Sequence, residues 1–142
     1  MATTSRHADR LRAVALLYEA DLRGEDPRVV LTRSAREEPV EPFTVTLVDG
    51  VTDRRAELDA LIARYARGWS IERMPIVDRN ILRLALWELV ASDVPVAVVI
   101  DEAVELANEL STPDSGRFVN GVLAQVSRSE HDVVSARADG DA

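Results

Sequence analysis

Few side chains in this chain have the type and spacing that acid–base or metal chemistry needs. The two histidines, His7 and His131, lie near opposite termini, so a metal site built from both would require the termini to meet. Asp101, Glu102 and Glu105 follow one another along a predicted helix and could pair as acid and base. An acidic helix face is usually only solvated, however. We therefore predict no catalytic residue and no metal site from these groups.

Nucleophiles and phosphate-binding loops are also missing from the sequence. The serines of the 111–115 segment have no neighbouring histidine, and the six glycines are scattered. The chain has no cysteine, which removes thiolate chemistry and suits a reducing cytoplasm. We predict that the protein is cytoplasmic, is not an enzyme and uses no cofactor.

Composition and charge favour one compact, acidic domain. The chain has 142 residues, 46% of them hydrophobic, which is enough to bury a core. Its formal charge is −8, but residues 1–12 hold three arginines against Asp9, a local sum of +2 that leaves −10 for the remainder. An acidic body repels a polyanion, so nucleic acid is expected to approach at local basic patches, chiefly the N-terminus. Apolar runs such as 94–100 are far shorter than the roughly 20 residues that span a membrane.

Apolar residues in the first half of the chain recur with the spacing of α-helices. This spacing predicts a helix over 9–23, a short helix after Asp26, and two helices within 43–65 that meet at a bend around Gly50 and Thr52. Each helix has one apolar face, so we expect them to pack together as a helical bundle.

The second half has stronger helical patterning. After Pro75, an apolar stripe predicts a long helix that should be the most buried in the protein. The β-branched run 94–100 suggests a strand, but the sequence offers no second strand to pair with it. We therefore expect an extended connector that becomes a helix near Val98. A turn at 111–116 then leads into a last helix ending near Ser127. The fold class predicted is all-α, with about seven helices.

Several blocks of the sequence resemble the NusB family closely in their order and spacing. They are MPIVDRNILR at 74–83, ALWEL at 85–89, VP at 94–95, DEAVELA at 101–107 and DSGRFVNGVL at 114–123, and the opening segment is also similar. The resemblance covers about residues 5–127. Over 24–67 it is a resemblance of pattern more than of residues.

The resemblance implies a bacterial transcription antitermination factor built only of helices, in two small bundles. It implies one domain over 1–128, with bundles over about 9–67 and about 75–128; the acidic tail, 129–142, is expected to be disordered. Family members pair with NusE, a small-subunit ribosomal protein. The two hold the boxA segment of nascent RNA, chiefly in ribosomal RNA operons, and help RNA polymerase resist termination. Relatives occur as monomers and as homodimers, so either state is open.

The resemblance also implies that RNA binds at the opening helix, through Arg6, His7, Arg10 and Arg12. Arg6 and Arg10 are four residues apart, so both can face one phosphate track. His7 stands where the family often has arginine. Asp9 is spaced to pair with Arg6 or Arg12, which would weaken the basic patch.

The turn before the last helix is the second RNA candidate. Residues 114–116 lead into a helix whose free N–H groups favour a phosphate, and Arg117 adds a cationic donor there. Phe118 is either a base-stacking residue or a core residue. Asn120 either contacts RNA or permits close helix packing.

Tyr18, Glu72 and Asp78 match positions that resemble the family's contact with NusE. Tyr18 combines an apolar ring with a hydroxyl, a combination favoured at interfaces, although simple burial explains it equally well. The charged residues of the long helix, Asp78 among them, have a second interpretation as an internal ion network that orients the two bundles. We favour this structural role for Arg83 and Glu88.

Two functions stay open from the sequence. One is an RNA-binding antitermination factor whose affinity depends on NusE, because so acidic a body needs a basic partner to complete an RNA site. The other is a helical protein-interaction module that keeps the NusE surface but has weak or no RNA binding. The first is our main prediction, and the reduced basic content of the opening motif is the feature that distinguishes the second.

Overall fold

Seven α-helices and one 3₁₀ turn make up the part of the chain that the structure, a computed structural model, describes, residues 5–130. The helices are α1 (Arg6–Arg23), α2 (Pro27–Glu37), α3 (Pro42–Asp53), α4 (Arg55–Tyr65), α5 (Ile76–Ala91), α6 (Val96–Leu110) and α7 (Pro113–Ser129), with the 3₁₀ turn at Ile71–Arg73. The prediction of an all-α fold with about seven helices is confirmed. Most of the predicted tail, 131–142, lies outside the described residues.

Local sequence explains where several helices begin and end. Ser5, Asp26 and Thr112 each accept a backbone N–H with a side-chain oxygen at the start of α1, α2 and α7. Gly24 ends α1 in the left-handed conformation, with φ of 68°, which glycine adopts without steric cost. These caps need no distant contact. The helix starts predicted after Asp26 and after the 111–116 turn agree with them, whereas the Ser5 cap was missed, because the first helix was predicted to begin at 9.

Helix α1 begins at Arg6, three residues before its predicted start, and two further helix boundaries also differ from their predicted positions. The bend predicted around Gly50 and Thr52 is misplaced, because α3 continues through both residues and breaks at Arg54, which has non-helical backbone angles. Gly50 instead leaves room for the indole of Trp87, which would overlap any Cβ at this position. The helix predicted to begin near Val98 begins at Val96, directly after the proline that ends the extended connector.

Helix α5 lies at the centre of the fold and packs against α1, α3, α4, α6 and α7. It has more buried residues than any other described helix, as predicted. Ile81, Leu82, Leu86 and Leu89 are fully buried. Each such side chain stabilises the fold by about 1.5–3 kcal/mol relative to its exposed state.

Asp21 of α1 is bound to α5 by a dense set of hydrogen bonds. Its carboxylate accepts from Arg79 at 2.7 and 2.8 Å, and from Asn80 and Arg83 at 3.0 Å each. Arg83 also donates to Asp59 of α4 at 2.7 Å, so the network joins three helices. Burial alone would raise the pKa of Asp21, but the hydrogen bonds from Arg79 and Asn80 and the charge of Arg83 hold it well below its usual range. The structural role predicted for Arg83 is therefore observed.

Gly50→Ala is expected to lower the free energy of unfolding by about 1–3 kcal/mol, because the added Cβ would displace the Trp87 indole. Gly121 of α7 provides a matched control, since nothing lies within 4 Å of a Cβ built there. Gly121→Ala should instead stabilise the protein by about 0.5–1 kcal/mol through helix propensity. Urea denaturation measures both changes. Effects of the same sign would contradict this account of Gly50.

Asp21→Asn should cost about 3 kcal/mol of stability at neutral pH, because it removes the charge that pairs with two arginines. The folded pKa of Asp21 lies below the unfolded value of about 3.9, so its contribution is present above that value and is lost as pH falls through the folded pKa. Denaturant titrations at about pH 7 and about pH 3 should show the difference between wild type and variant shrinking in acid. A difference independent of pH would count against the network.

Candidate nucleic-acid interface

Arg6 is the exposed cation at the beginning of α1. Its guanidinium carbon lies 3.9 Å from the centroid of the Phe43 ring of α3. This cation–π contact orients the side chain and leaves the edges of the guanidinium group available as donors. Arg6 is therefore suited to bind a phosphate.

Arg10, by contrast, does not face the surface. Its Nε and Nη2 atoms donate to the two carboxylate oxygens of Glu88 in α5, at 2.9 and 2.8 Å, and Arg10 is only 3% exposed. The expectation that Arg6 and Arg10 present one shared phosphate track is therefore wrong. A buried carboxylate needs a cationic partner, and Arg10 supplies it to Glu88. The structural role favoured for Glu88 is observed.

Arg12 fastens the α2–α3 connection to α1. Its guanidinium group donates to the backbone oxygens of Pro39 at 2.5 Å and Glu38 at 2.9 Å, and to the Ser34 hydroxyl at 3.1 Å. These bonds satisfy carbonyl groups at the end of α2. They also occupy three of the five N–H donors with which Arg12 was expected to bind RNA.

Asp9 points inward and is 6% exposed. Burial raises its pKa, and its Oδ1 atom has no hydrogen-bond partner among residues 5–130. The predicted ion pair between Asp9 and Arg6 or Arg12 is not found in this range. The Asp9 carbonyl instead accepts from the Thr44 hydroxyl at 2.9 Å, which ties α1 to α3.

His7 bridges α1 and α6. Its Nδ1 contacts Glu102 and its Nε2 contacts Glu109, both at 2.8 Å. The hydrogen bond to Glu102 and the charge of both carboxylates outweigh desolvation and raise the pKa of His7, which favours the imidazolium. Ligand atoms of His7, Glu105 and Glu109 lie within 4.8 Å of one another. Sequence reasoning missed this cluster, because it lies between helices that are far apart in the chain.

A second cationic and aromatic cluster lies at the start of α7. Arg117 is exposed and donates to Asp114 one turn earlier. Phe118 is half-buried, and its ring centroid is 6.0 Å from that of Trp69, which is 53% exposed. Asn120 is also exposed on this helix. Sequence reasoning overlooked Trp69, although an aromatic residue directly after a glycine at a helix end was a usable signal.

The three residues predicted to bind a partner differ in exposure. Tyr18 is 39% exposed on α1, and Glu72 is exposed in the 3₁₀ turn. Asp78 is only 3% exposed, and its Oδ2 accepts from the Ser115 hydroxyl of α7 at 2.8 Å. Asp78 was expected to lie on the partner-binding surface. This expectation is wrong, because its side chain is buried where the start of α5 packs against α7.

The fold and the described surface together define a class, that of all-helical proteins with exposed cations and aromatic rings near the starts of helices. The profile of the NusB family matches residues 7–128, and the chain belongs to that family. Its members are transcription antitermination factors that bind RNA and are not enzymes, which confirms the prediction that this protein is not one. None of the helices within 5–130 has the length and apolar character needed to span a membrane.

Close relatives share most of the chain. The transcription antitermination protein NusB of Saccharopolyspora erythraea is 54% identical over 127 residues, which are 86% of each chain. That of Acidothermus cellulolyticus is 49% identical over 140 residues, covering 96% of this chain and 97% of its own.

Solved structures of family members are also similar to this chain. T. maritima NusB matches 90% of this chain and 94% of its own with a TM-score of 0.81 and 34% identity. A structure of antitermination factors NusB and NusE in complex with dsRNA contains a chain that is 30% identical, with a TM-score of 0.74 over 89% of this chain and 99% of that one.

Arg10→Ala is expected to destabilise the protein by about 3–5 kcal/mol, because it leaves the buried Glu88 carboxylate without its bidentate partner. Arg117→Ala, which removes an exposed guanidinium, should change stability by less than about 0.5 kcal/mol. Chemical denaturation distinguishes the two. If both substitutions lower stability equally little, Arg10 is free to bind RNA and its structural role is contradicted.

Proposed function

We propose that this antitermination factor acts in the cytoplasm by binding boxA-type nascent RNA together with NusE, chiefly in ribosomal RNA operons, as part of the RNA polymerase antitermination complex. Membership of the NusB family underlies the proposal. The observation that supports NusE and RNA as partners is the similarity of the fold to a chain in a NusB–NusE complex with dsRNA, whereas boxA and the ribosomal RNA operons come from the family resemblance. The chemistry of the described surface is consistent with both partners.

The RNA surface that we propose has two parts. Arg6 and His7 form the part at the start of α1, and Arg117, Phe118 and Asn120 form the part at the start of α7. Exposed arginines position phosphates, while aromatic rings stack on unpaired bases. Arg10 and Arg12 act indirectly, because their internal bonds hold α1 in place.

A basic partner completes this surface. The chain carries a formal charge of −8, and only a few of its cations lie free at the proposed RNA site. We propose that NusE binds over the exposed Tyr18 and Glu72, because acidic and aromatic groups suit a cationic protein surface. A homodimer that covered Tyr18 would compete with NusE and act as a storage form.

The experiment is fluorescence anisotropy of a boxA-like RNA titrated with the protein, alone and with equimolar NusE, at two salt concentrations. Binding that appears or sharpens with NusE and weakens with salt is expected. The alternative is an interaction module without RNA recognition, which the internal bonds of Arg10 and Arg12 favour. Association with NusE while the RNA stays free would establish that alternative.

Arg6→Ala should weaken RNA binding by the NusE complex and reduce the slope of log affinity against log salt by about 1, since one phosphate contact is lost. Arg36→Ala is the matched control, because Arg36 is an exposed arginine on α2, outside the proposed surface. The control should leave affinity and slope unchanged. An unaltered slope for Arg6→Ala would remove Arg6 from the interface.

A further inference from the structure

Helix α6 carries an acidic face that its own sequence does not balance. Asp101, Glu102, Glu105 and Glu109 lie on this helix, and it has no lysine or arginine. Glu105 and Glu109 are four residues apart, where like charges repel. Glu109 also lies in the last turn of α6, where the helix dipole disfavours negative charge. The end of α6 is therefore a place where a bound cation would be stabilised.

We propose that His7, Glu105 and Glu109 bind a divalent transition-metal ion, Zn²⁺ or Mn²⁺, which joins α1 to α6. One ligand atom from each residue lies within 4.8 Å of the other two. Four-coordinate Zn²⁺ holds its ligand atoms about 3.3 Å apart. Glu105 and Glu109 are exposed, so small side-chain rotations bring their oxygens to that spacing.

The surroundings of His7 resemble those of a metal-binding histidine. Such a histidine usually hydrogen-bonds a carboxylate through its second ring nitrogen, which fixes the tautomer and the direction of the ring. Here Nδ1 of His7 contacts Glu102 at 2.8 Å, and Nε2 is directed toward Glu109. Glu102 lies 3.9 Å from Arg10, which the buried Glu88 holds rigidly. The imidazole is thus oriented before any ion binds.

Charge balance favours a divalent ion over a simple imidazolium bridge. A protonated His7 carries one positive charge and faces the carboxylates of Glu105 and Glu109 together with that of Glu102, of which, among residues 5–130, only Glu102 lies near an arginine, at 3.9 Å from Arg10. Glu105 has no hydrogen bond or ion pair with another residue of the described range, so the imidazolium bridge does not account for its position. A nitrogen ligand with two carboxylates suits Zn²⁺ or Mn²⁺, whereas Mg²⁺ and Ca²⁺ prefer oxygen ligands alone.

The ion would also serve the RNA surface, a role that rests on the proposed function. His7 follows Arg6 directly, so the ion would add positive charge where the acidic α6 otherwise repels a phosphate. Three protein ligands leave at least one coordination position open. A phosphate oxygen of the RNA is a suitable fourth ligand.

Calorimetric titration of the full chain with ZnCl₂, MnCl₂ and MgCl₂ tests the site. Zn²⁺ and Mn²⁺ should bind with one-to-one stoichiometry and Mg²⁺ much more weakly. Glu105→Gln should weaken Zn²⁺ binding by about tenfold or more, whereas Asp101→Asn, which removes an exposed charge from the same helix, should change it less than about twofold. His131→Gln should have no effect. Equal losses for Glu105→Gln and Asp101→Asn, or no binding, would overturn the site.

RNA affinity of the NusE complex, measured with Zn²⁺ and with a chelator, tests the role. In the wild type, RNA affinity with Zn²⁺ should be severalfold higher than RNA affinity with the chelator. In Glu105→Gln the ratio of these two affinities should fall to about one. Comparing ratios within each variant cancels the effect of removing a negative charge. If the metal binds without changing RNA affinity, the proposed role of the ion in RNA binding is overturned, but the metal site itself stands. Absence of RNA binding under both conditions is a failure of the proposed function instead.

Discussion

The buried ion pairs between α1 and α5 are the constraint on which the interface depends. Arg10 pairs with Glu88 near one end of α1, and Asp21 pairs with Arg83 about three turns further along. A charge is tolerated in the core only when its partner is in place. A shift of α1 along α5 would break both pairs at once. The pairs therefore hold α1 in a single register, which leaves Arg6 at the surface.

This register divides the cationic residues of the opening helix into different roles. Arg10 is hydrogen-bonded in the core, Arg12 at the end of α2, and His7 on the acidic face of α6. Arg6 is the only one of these four that is exposed rather than half-buried or buried, and its side chain is oriented by Phe43. An RNA surface with so few available cations in an acidic protein has to obtain positive charge from elsewhere, whether from a basic protein or from an ion.

How much was predictable depended on whether the relevant interaction was local. The helices, their caps and the central position of α5 follow from apolar spacing and from single residues such as Gly24. The bend predicted around Gly50 was misplaced, because that glycine makes room for the indole of Trp87, which lies far away in sequence. The exposure of individual charged side chains was still harder to predict. Asp78 and Arg10 have the charge of surface residues, and only the packing of α5 with its neighbours buries them.

The sequence by itself determined the helical class, the approximate positions of the helices and, through the resemblance of its blocks, the family. These properties depend on side-chain periodicity and on short motifs, which the order of residues contains directly. The tertiary structure alone decided which arginine is free, that His7 meets Glu102 and Glu109, and that Trp69 lies beside Phe118. The reason is that exposure and partnership depend on how helices distant in the chain dock, and docking is set by the shape and charge of the whole core.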